Sequence, residues 1–116
     1  MRFRPEQHLR RQGDIRLVRE EGNRLDCRSF VVWARRRGPD QPPAAGSRMA
    51  AVASIAAVGP AVQRNRAKRR LREVYRKHQS QVPAGFDLLV VARSAVNRRA
   101  FAELERTFVE ACGRIA

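Results

Sequence analysis

Apolar residues return at helical spacing near both ends of the chain. Towards the C-terminus they follow the α-helical period, which predicts a helix with Asn97 at its N-cap. A thinner apolar stripe at Ile15 and Val18 predicts a short first helix that ends at Gly22. Both stripes are expected to pack against a core. The C-terminal stripe comprises Phe101, Leu104, Phe108, Ala111, Cys112 and Ile115.

Between these helices lie runs of β-branched, aromatic and small apolar residues. Residues 28–35 and 86–93 are typical of strands, because such side chains fit a half-buried pleated surface. Residues 49–58 are rich in alanine, which favours helix, yet the run lies between a Pro/Gly-rich stretch and Gly59, so we predict mainly a strand. The Pro/Gly-rich stretch, residues 38–47, is expected to be a mobile loop within one domain.

A third helical pattern carries much of the charge. Residues 64–77 contain eight Lys or Arg residues and a single acid, Glu73. One face of this helix is apolar and the cations spread over the rest. Like charges four residues apart repel by roughly 0.2–0.5 kcal/mol per pair, and a bound polyanion would relieve this repulsion. A solvated basic face is the alternative interpretation. The apolar face comprises Ala67, Leu71, Val74, Tyr75 and His78.

Composition strengthens the case for a polyanionic partner. The 116 residues include 25 Lys and Arg against 11 Asp and Glu, a formal net charge of +14. This balance favours nucleic acid, because a protein that neutralises phosphates releases their condensed counterions. An anionic membrane is the competing polyanion, but a peripheral membrane protein needs a large exposed apolar face, and the apolar stripes here are expected to form a core. The length fits one RNA-binding domain, residues 1–116, with a basic N-terminal segment at 1–12.

Candidates for catalytic chemistry are sparse. His8 and His78 have no carboxylate close in sequence, and Cys27 and Cys112 lack metal-ligand spacing. The sequence contains no phosphate-binding loop, dinucleotide fingerprint or nucleophile motif. These features favour a binding protein over a protein-only nuclease, which would need a carboxylate cluster. We also find no signal peptide or apolar membrane span, and therefore expect a cytoplasmic protein in a reducing compartment.

The order of residues in the basic helix is more specific than its charge. Residues 62–73 read Val-Gln-Arg-Asn-Arg-Ala-Lys-Arg-Arg-Leu-Arg-Glu, which resembles the Arg-Asn-Arg signature of the protein subunit of bacterial ribonuclease P. The similarity to that family continues, in order, at residues 9–22, 30–33 and 88–93. The resemblance implies an α+β fold of order αβββαβα, in which helices pack on a small four-stranded mixed sheet with a left-handed crossover. Three of the four strands can be placed in the sequence.

The resemblance also implies a function. In that family the RNA subunit, with its Mg²⁺ ions, cuts the 5′ leader from precursor tRNA, so no catalytic residue is expected in the protein. The protein binds the catalytic RNA through the signature helix and holds the single-stranded leader in a cleft between the sheet and the first helix. The residues that match the signature, and are therefore expected to contact the RNA subunit, are Arg64, Asn65, Arg66, Lys68, Arg69 and Arg72.

The leader-binding residues of the family match this sequence less directly. The family places aromatic residues on the first helix and first strand, where they can stack on unpaired bases. Trp33 matches such a position, with a buried core role as the alternative. Ile15 and Arg19 stand where aromatics are common, and a guanidinium can also stack on a base. Phe3 is a further candidate, and Ala56-Ala57 replaces a Lys pair usual in the family. A structural RNA-binding protein of ribosomal type, without a role in cleavage, is the competing function.

Overall fold

The computed structural model describes residue 9 and residues 12–37 and 46–115. Phe3, His8 and most of the loop at 38–47 lie outside the described residues. The described elements follow the predicted order αβββαβα, with one added helical turn, α2. They are α1 (Gln12–Glu21), β1 (Asn23–Asp26), β2 (Phe30–Arg36), β3 (Arg48–Val52), α2 (Ile55–Val58), α3 (Ala61–His78), β4 (Phe86–Ala92) and α4 (Phe101–Cys112). The 3₁₀ turns Gln79–Gln81 and Ser94–Asn97 precede β4 and α4.

The four strands form one mixed sheet in the order β1-β2-β4-β3. β2 pairs antiparallel with β1 and β4, whereas β3 runs parallel to β4, so α3 belongs to a crossover between parallel strands. This confirms the α+β fold with a small mixed sheet; the handedness of the crossover stays a prediction. β1 is the strand that the sequence did not locate. It has one apolar residue, Leu25, and lies at the sheet edge, where burial imposes little pattern.

Each face of the sheet has its own apolar core. On one face, side chains that alternate along β2, β3 and β4 pack with α3 and α4 to form the larger core. On the other face, Val18 of α1 and Leu89 of β4 are buried together with Leu9. The predicted apolar stripes of the first and last helices are therefore confirmed as core-facing. The buried residues of the C-terminal stripe are Leu104, Phe108, Ala111, Cys112 and Ile115.

The prediction of a strand over residues 49–58 is wrong in its second half. The strand ends at Val52, and Ile55–Val58 forms a single helical turn. Ser54 Oγ accepts a hydrogen bond from the Ala57 amide at 3.0 Å, which caps this turn. Gly59, with φ 120°, ends it in a backbone conformation that favours glycine. The alanine propensity for helix therefore prevails once the chain leaves the sheet.

The prediction that Asn97 caps the last helix is also wrong. α4 begins at Phe101, and Ala100 occupies the N-cap without a side-chain hydrogen bond. Asn97 instead ends the preceding 3₁₀ turn, and its Nδ2 donates to Gln63 O at 3.0 Å. This contact attaches the turn to α3.

Gly22 ends α1 as predicted, and its lack of a side chain is essential there. Its amide donates to Val18 O at 2.9 Å. A Cβ at Gly22 would lie 2.3 Å from Val18 O and 2.8 Å from Ala34 O, closer than atoms pack. The glycine therefore lets the chain turn directly from α1 into β1 against the backbone of β2.

Candidate nucleic-acid interfaces

Helix α3 turns its apolar face to the core and leaves its cations outside. Leu71, Val74 and Tyr75 are buried with Ala67. The Tyr75 hydroxyl lies 2.5 Å from Ser47 Oγ and donates to Ser47 O at 3.1 Å. These contacts fix the rotation of the helix about its axis. Of the six signature residues, those exposed are Asn65, Arg66, Arg69 and Arg72, and those half-buried are Arg64 and Lys68.

The charge of this surface is uncompensated in the part of the chain that the structure describes. The ion pair within α3 joins Arg76 to Glu73, three residues apart. Among the described residues, no signature residue has an acidic partner within salt-bridge distance. Arg64 Nε is buried and has no hydrogen-bond partner there either. An anionic ligand would therefore meet cations that no acid already neutralises.

The signature residues fall on two flanks of α3, given about 100° of rotation per residue. We call the first of these the signature flank. It lies on the side of Tyr75 and continues over the outer surface of the helix. It comprises Arg64, Asn65, Lys68, Arg69 and Arg72. Arg66 is the exception. It lies on the opposite side, the α4 flank, which comprises Arg66, Arg70 and Lys77. Desolvation lowers the pKa of Arg70, and the charge of Arg66 lowers it further.

A second surface lies on the opposite face of the sheet, beside α1. Ile15 and Trp33 are partly buried against the small core of Leu9, Val18 and Leu89. The Arg19 guanidinium carbon lies 6.0 Å from the centroid of the Trp33 ring, a cation–π distance. The structure thus brings three of the four predicted leader-binding residues together, and Phe3 lies outside the described residues. We call this surface the α1 cleft, defined by Ile15, Arg19, Trp33, Ala50 and Val91.

Cross-strand register arranges the floor of the α1 cleft in rows. Because successive residues of a strand alternate between faces, every second row reaches this side of the sheet. The floor is charged at one end and apolar at the other. Across β3, β4 and β2 the rows are Arg48, Asp87 and Arg35; then Ala50, Leu89 and Trp33; then Val52, Val91 and Val31. A strand of RNA laid across the floor would meet apolar surface next to Trp33.

The charged end is held by a buried carboxylate. Asp87 is 1% exposed and accepts hydrogen bonds from Arg37 Nη1 at 2.8 Å and from Arg48 Nε and Nη2 at 2.9 and 2.7 Å. Arg48 Nη1 also lies 3.8 Å from the Asp14 carboxylate on α1. One network therefore links β3, β4 and the first helix.

The chain exposes apolar side chains on and beside α2. The exposed fractions of Val52, Ile55 and Val62 are 37%, 67% and 76%. Ala56 and Ala57, which stand where the resemblance implied a Lys pair, are exposed on α2. The end of β3 and the start of α3 thus carry apolar contact surface at these positions, with no cation.

Catalytic chemistry has little support in the described residues. His78 Nε2 lies 2.7 Å from Glu105 Oε2, a partner 27 residues away in sequence that joins α3 to α4. Within the described ranges, no three His, Cys, Asp or Glu side chains cluster as metal ligands do. None of the helices in that part of the chain combines the length and apolar character that crossing a bilayer requires. The exposed cations of α3 are suited to binding an anion.

Comparison with known proteins decides between the RNA-binding families. The model of the Ribonuclease P family matches residues 3–116. The chain belongs to the ribonuclease P protein family. Members of this family are protein subunits of an endoribonuclease.

The ribonuclease P protein component of Thermotoga maritima is 34% identical over 95 residues, which cover 82% of this chain and 76% of that protein. That of Acidothermus cellulolyticus is 35% identical over 108 residues, covering 92% and 86%. The structure of the T. maritima protein superposes with a TM-score of 0.79 at 30% identity, over 94% of this chain and 97% of that one. A Staphylococcus aureus ribonuclease P protein, at 22% identity and a TM-score of 0.75, shares the fold.

Several features of the two surfaces were not predicted from the sequence. The link from Asp87 to Arg48 and Asp14 joins three distant segments, and no local pattern signals it. Arg70 adds to the charge of the basic stretch, and its contacts with Arg99 O and the Phe101 ring place it on the side of α4. The position of Arg66 on the α4 flank could have been read from the helical wheel alone.

Proposed function

We propose that this ribonuclease P protein binds the catalytic RNA subunit through the signature flank and holds the 5′ leader of precursor tRNA in the α1 cleft. The observation that carries this proposal is the signature on α3, whose cations have no acidic partner among the described residues, with a separate half-buried aromatic site on the opposite face of the sheet. Binding on both surfaces would assist removal of the leader and formation of the mature tRNA 5′ end.

On the signature flank, arginine suits phosphate recognition because its planar guanidinium forms paired hydrogen bonds. Asn65 offers both a donor and an acceptor for a base or sugar edge. Mg²⁺ held by the RNA subunit is expected to supply the hydrolytic chemistry. The cations of this chain add positive charge near the phosphates, which reduces the Mg²⁺ concentration that the complex requires.

In the α1 cleft, the half-buried Trp33 offers a stacking face whose position is fixed by Ile15 and the small core. Arg19, already over the ring, can cover a base or contact a phosphate. Apolar surface at Ala50, Val52 and Val91 suits unpaired bases, whose faces are apolar. This surface would recognise a single strand without a strict sequence requirement.

The signature flank is tested by replacing two of its cationic residues with alanine. Arg64→Ala with Lys68→Ala should weaken binding to bacterial ribonuclease P RNA and lower the slope of log K against log salt by about 1 to 2. Arg16→Ala with Arg114→Ala removes the same charge from exposed positions elsewhere and should leave the slope unchanged. Equal effects of the two pairs would contradict a localised interface.

The cleft is tested separately with precursor and mature tRNA bound to the assembled RNA–protein complex. Stacking on one base contributes about 1–3 kcal/mol, so Trp33→Ala should lower the preference for precursor tRNA by about fivefold or more. Trp33→Phe, which keeps a ring, should restore much of it. Loss of mature-tRNA affinity in parallel with precursor affinity would place Trp33 in the core and not in the leader site.

A further inference from the structure

The α4 flank carries cations that the signature does not account for. Arg66, Arg70 and Lys77 lie within about 40° of one another around the helix axis, given 100° per residue. They therefore form one row along α3. Arg66 and Lys77 are exposed and Arg70 is half-buried. In the described part of the chain, none of the three has an acid within salt-bridge distance.

The segment before α4 places two more exposed cations, Arg98 and Arg99, beside this row. Arg98 Nη2 donates to Ser94 Oγ at 3.3 Å within the preceding turn, and two contacts hold residues 97–99 against α3. Arg70 Nη2 donates to Arg99 O, and the Asn97 side chain donates to Gln63 O. The basic surface thus continues from one helix across the junction to the next.

The ring of Phe101, the first residue of α4, contacts two cations of this row, Arg70 and Lys77. The ring centroid lies 5.9 Å from the Arg70 guanidinium carbon and 5.3 Å from Lys77 Nζ. Cation–π contacts of this kind hold a charge in place without neutralising it. Both cations therefore stay available to an external anion.

The crowding of these cations is costly in the free protein. Desolvation and the neighbouring Arg66 both lower the pKa of Arg70. Arg70 Nε and Asn97 Oδ1 are buried without a hydrogen-bond partner among the described residues. An anion bound on this surface would offset the repulsion between the cations, so the arrangement is more favourable in a complex than alone.

The basic surface ends on the α4 side at Arg99. Glu103 lies 3.9 Å from the Arg99 guanidinium, and both side chains are about half exposed, so this pair contributes little. Arg99 also borders a groove of about 350 Å³ with mixed charge, which is further lined by Glu103, Arg106 and Glu110. The continuous positive surface therefore runs from α3 to residue 99 and no further along α4.

We propose that Arg66, Arg70, Lys77, Arg98 and Arg99 form a second RNA-binding surface, which holds a phosphodiester backbone segment of the catalytic RNA on the α4 side of α3. The proposal rests on the proposed function, because the partner is the same RNA. α3 then lies between two backbone segments, one on each flank. Contact is through charge and positions the protein without reading bases.

The test measures binding of the full chain to bacterial ribonuclease P RNA, without tRNA, over a range of salt concentrations. Arg98→Ala with Arg99→Ala should lower the salt slope by about 1 to 2, and the added change Lys77→Ala should lower it further. Arg98→Lys with Arg99→Lys, which keeps the charge, should restore the slope. Arg16→Ala with Arg114→Ala is the matched control and should bind as the unchanged protein does. Urea midpoints equal to that of the unchanged protein show that these exposed substitutions leave the fold intact.

An unchanged slope in the Arg98/Arg99 variant overturns the second surface, as does an equal loss in the control pair. The proposed function fails in a different way, if the unchanged protein binds ribonuclease P RNA no better than an unrelated structured RNA of the same length. If the unchanged protein shows that preference and Arg64→Ala with Lys68→Ala weakens it, but the Arg98/Arg99 variant does not, then only the second surface is wrong.

Discussion

Substitution of Asp87 by Asn tests whether the buried carboxylate is essential to the fold. Asp87 is 1% exposed, whereas the side chains of Arg37 and Arg48 are 6% and 22% exposed. The change keeps the shape of the side chain and removes its charge. Two largely buried guanidiniums then lose their shared carboxylate, and Arg48 retains only the more distant Asp14 at 3.8 Å.

The expected cost is large because a buried charge cannot regain water. Removing one partner of a buried ion pair typically costs about 3–5 kcal/mol. A domain of this size has a total stability of roughly 5–15 kcal/mol, so the substitution should remove a large share of it. With a urea m-value of about 1.5 kcal/mol per molar, the unfolding midpoint should fall by about 2–3 M.

Asp26→Asn provides a matched control in equilibrium urea unfolding. Asp26 also accepts three hydrogen bonds, from the Arg28 amide and from Nη1 and Nη2 of Arg93, but its side chain is 47% exposed. Water can replace these partners, so the midpoint should shift far less than for Asp87→Asn. Similar shifts in the two variants would refute the reasoning, because burial is the main difference between the two carboxylates.

Three further outcomes follow from packing and ionisation. Gly22→Ala should clearly lower the urea midpoint, because the new Cβ would meet two backbone oxygens. Gly13→Ala should not lower it, because no atom lies within 4 Å of the Cβ position there. Equal effects of the two substitutions would show that α1 can shift without cost. Burial raises the pKa of Cys27 from 9.0 to about 11 and that of Cys112 to about 12. The folded thiols hold their protons more tightly than the unfolded ones. The stability that this burial gives is therefore present below pH 9 and should be lost as the pH rises from 9 to 12. A urea unfolding midpoint that does not change between pH 8 and pH 11 would contradict this. Neither thiol should react with a maleimide at pH 7.5 until urea unfolds the chain, because each residue is 4% exposed.

The elements that the sequence predicted are those with a strong local signal. A helix was predicted over the basic stretch 64–77, and α3 covers it from Ala61 to His78, because its apolar residues recur at helical spacing. β4 is buried on both faces and reads as a continuous apolar run. The signature residues of α3 were identified by their order, and the structure adds their burial: Arg64 and Lys68 are half-buried, and Arg64 Nε has no hydrogen-bond partner among the described residues.

The parts that were missed depend on contacts between distant segments. β1 has little apolar pattern, and its pairing with β2 from Asn23 to Asp26 defines it as a strand. Asn97 has the chemistry of a helix cap, yet packing of the turn against α3 gives its amide another partner. In the cleft, sequence similarity selected Ile15, Arg19 and Trp33, but only the fold shows that Ala50 and Val91 complete the same surface.

Cleavage of precursor tRNA by bacterial ribonuclease P RNA at low Mg²⁺, with and without this protein, tests the central claim most directly. We expect the protein to increase cleavage at the mature 5′ end, and an unrelated protein of similar positive charge to give no comparable gain. Arg64→Ala with Lys68→Ala should reduce the gain. If the protein produces no gain, or if the purified chain cleaves without the RNA, the account of a binding subunit with separate RNA and leader surfaces is wrong.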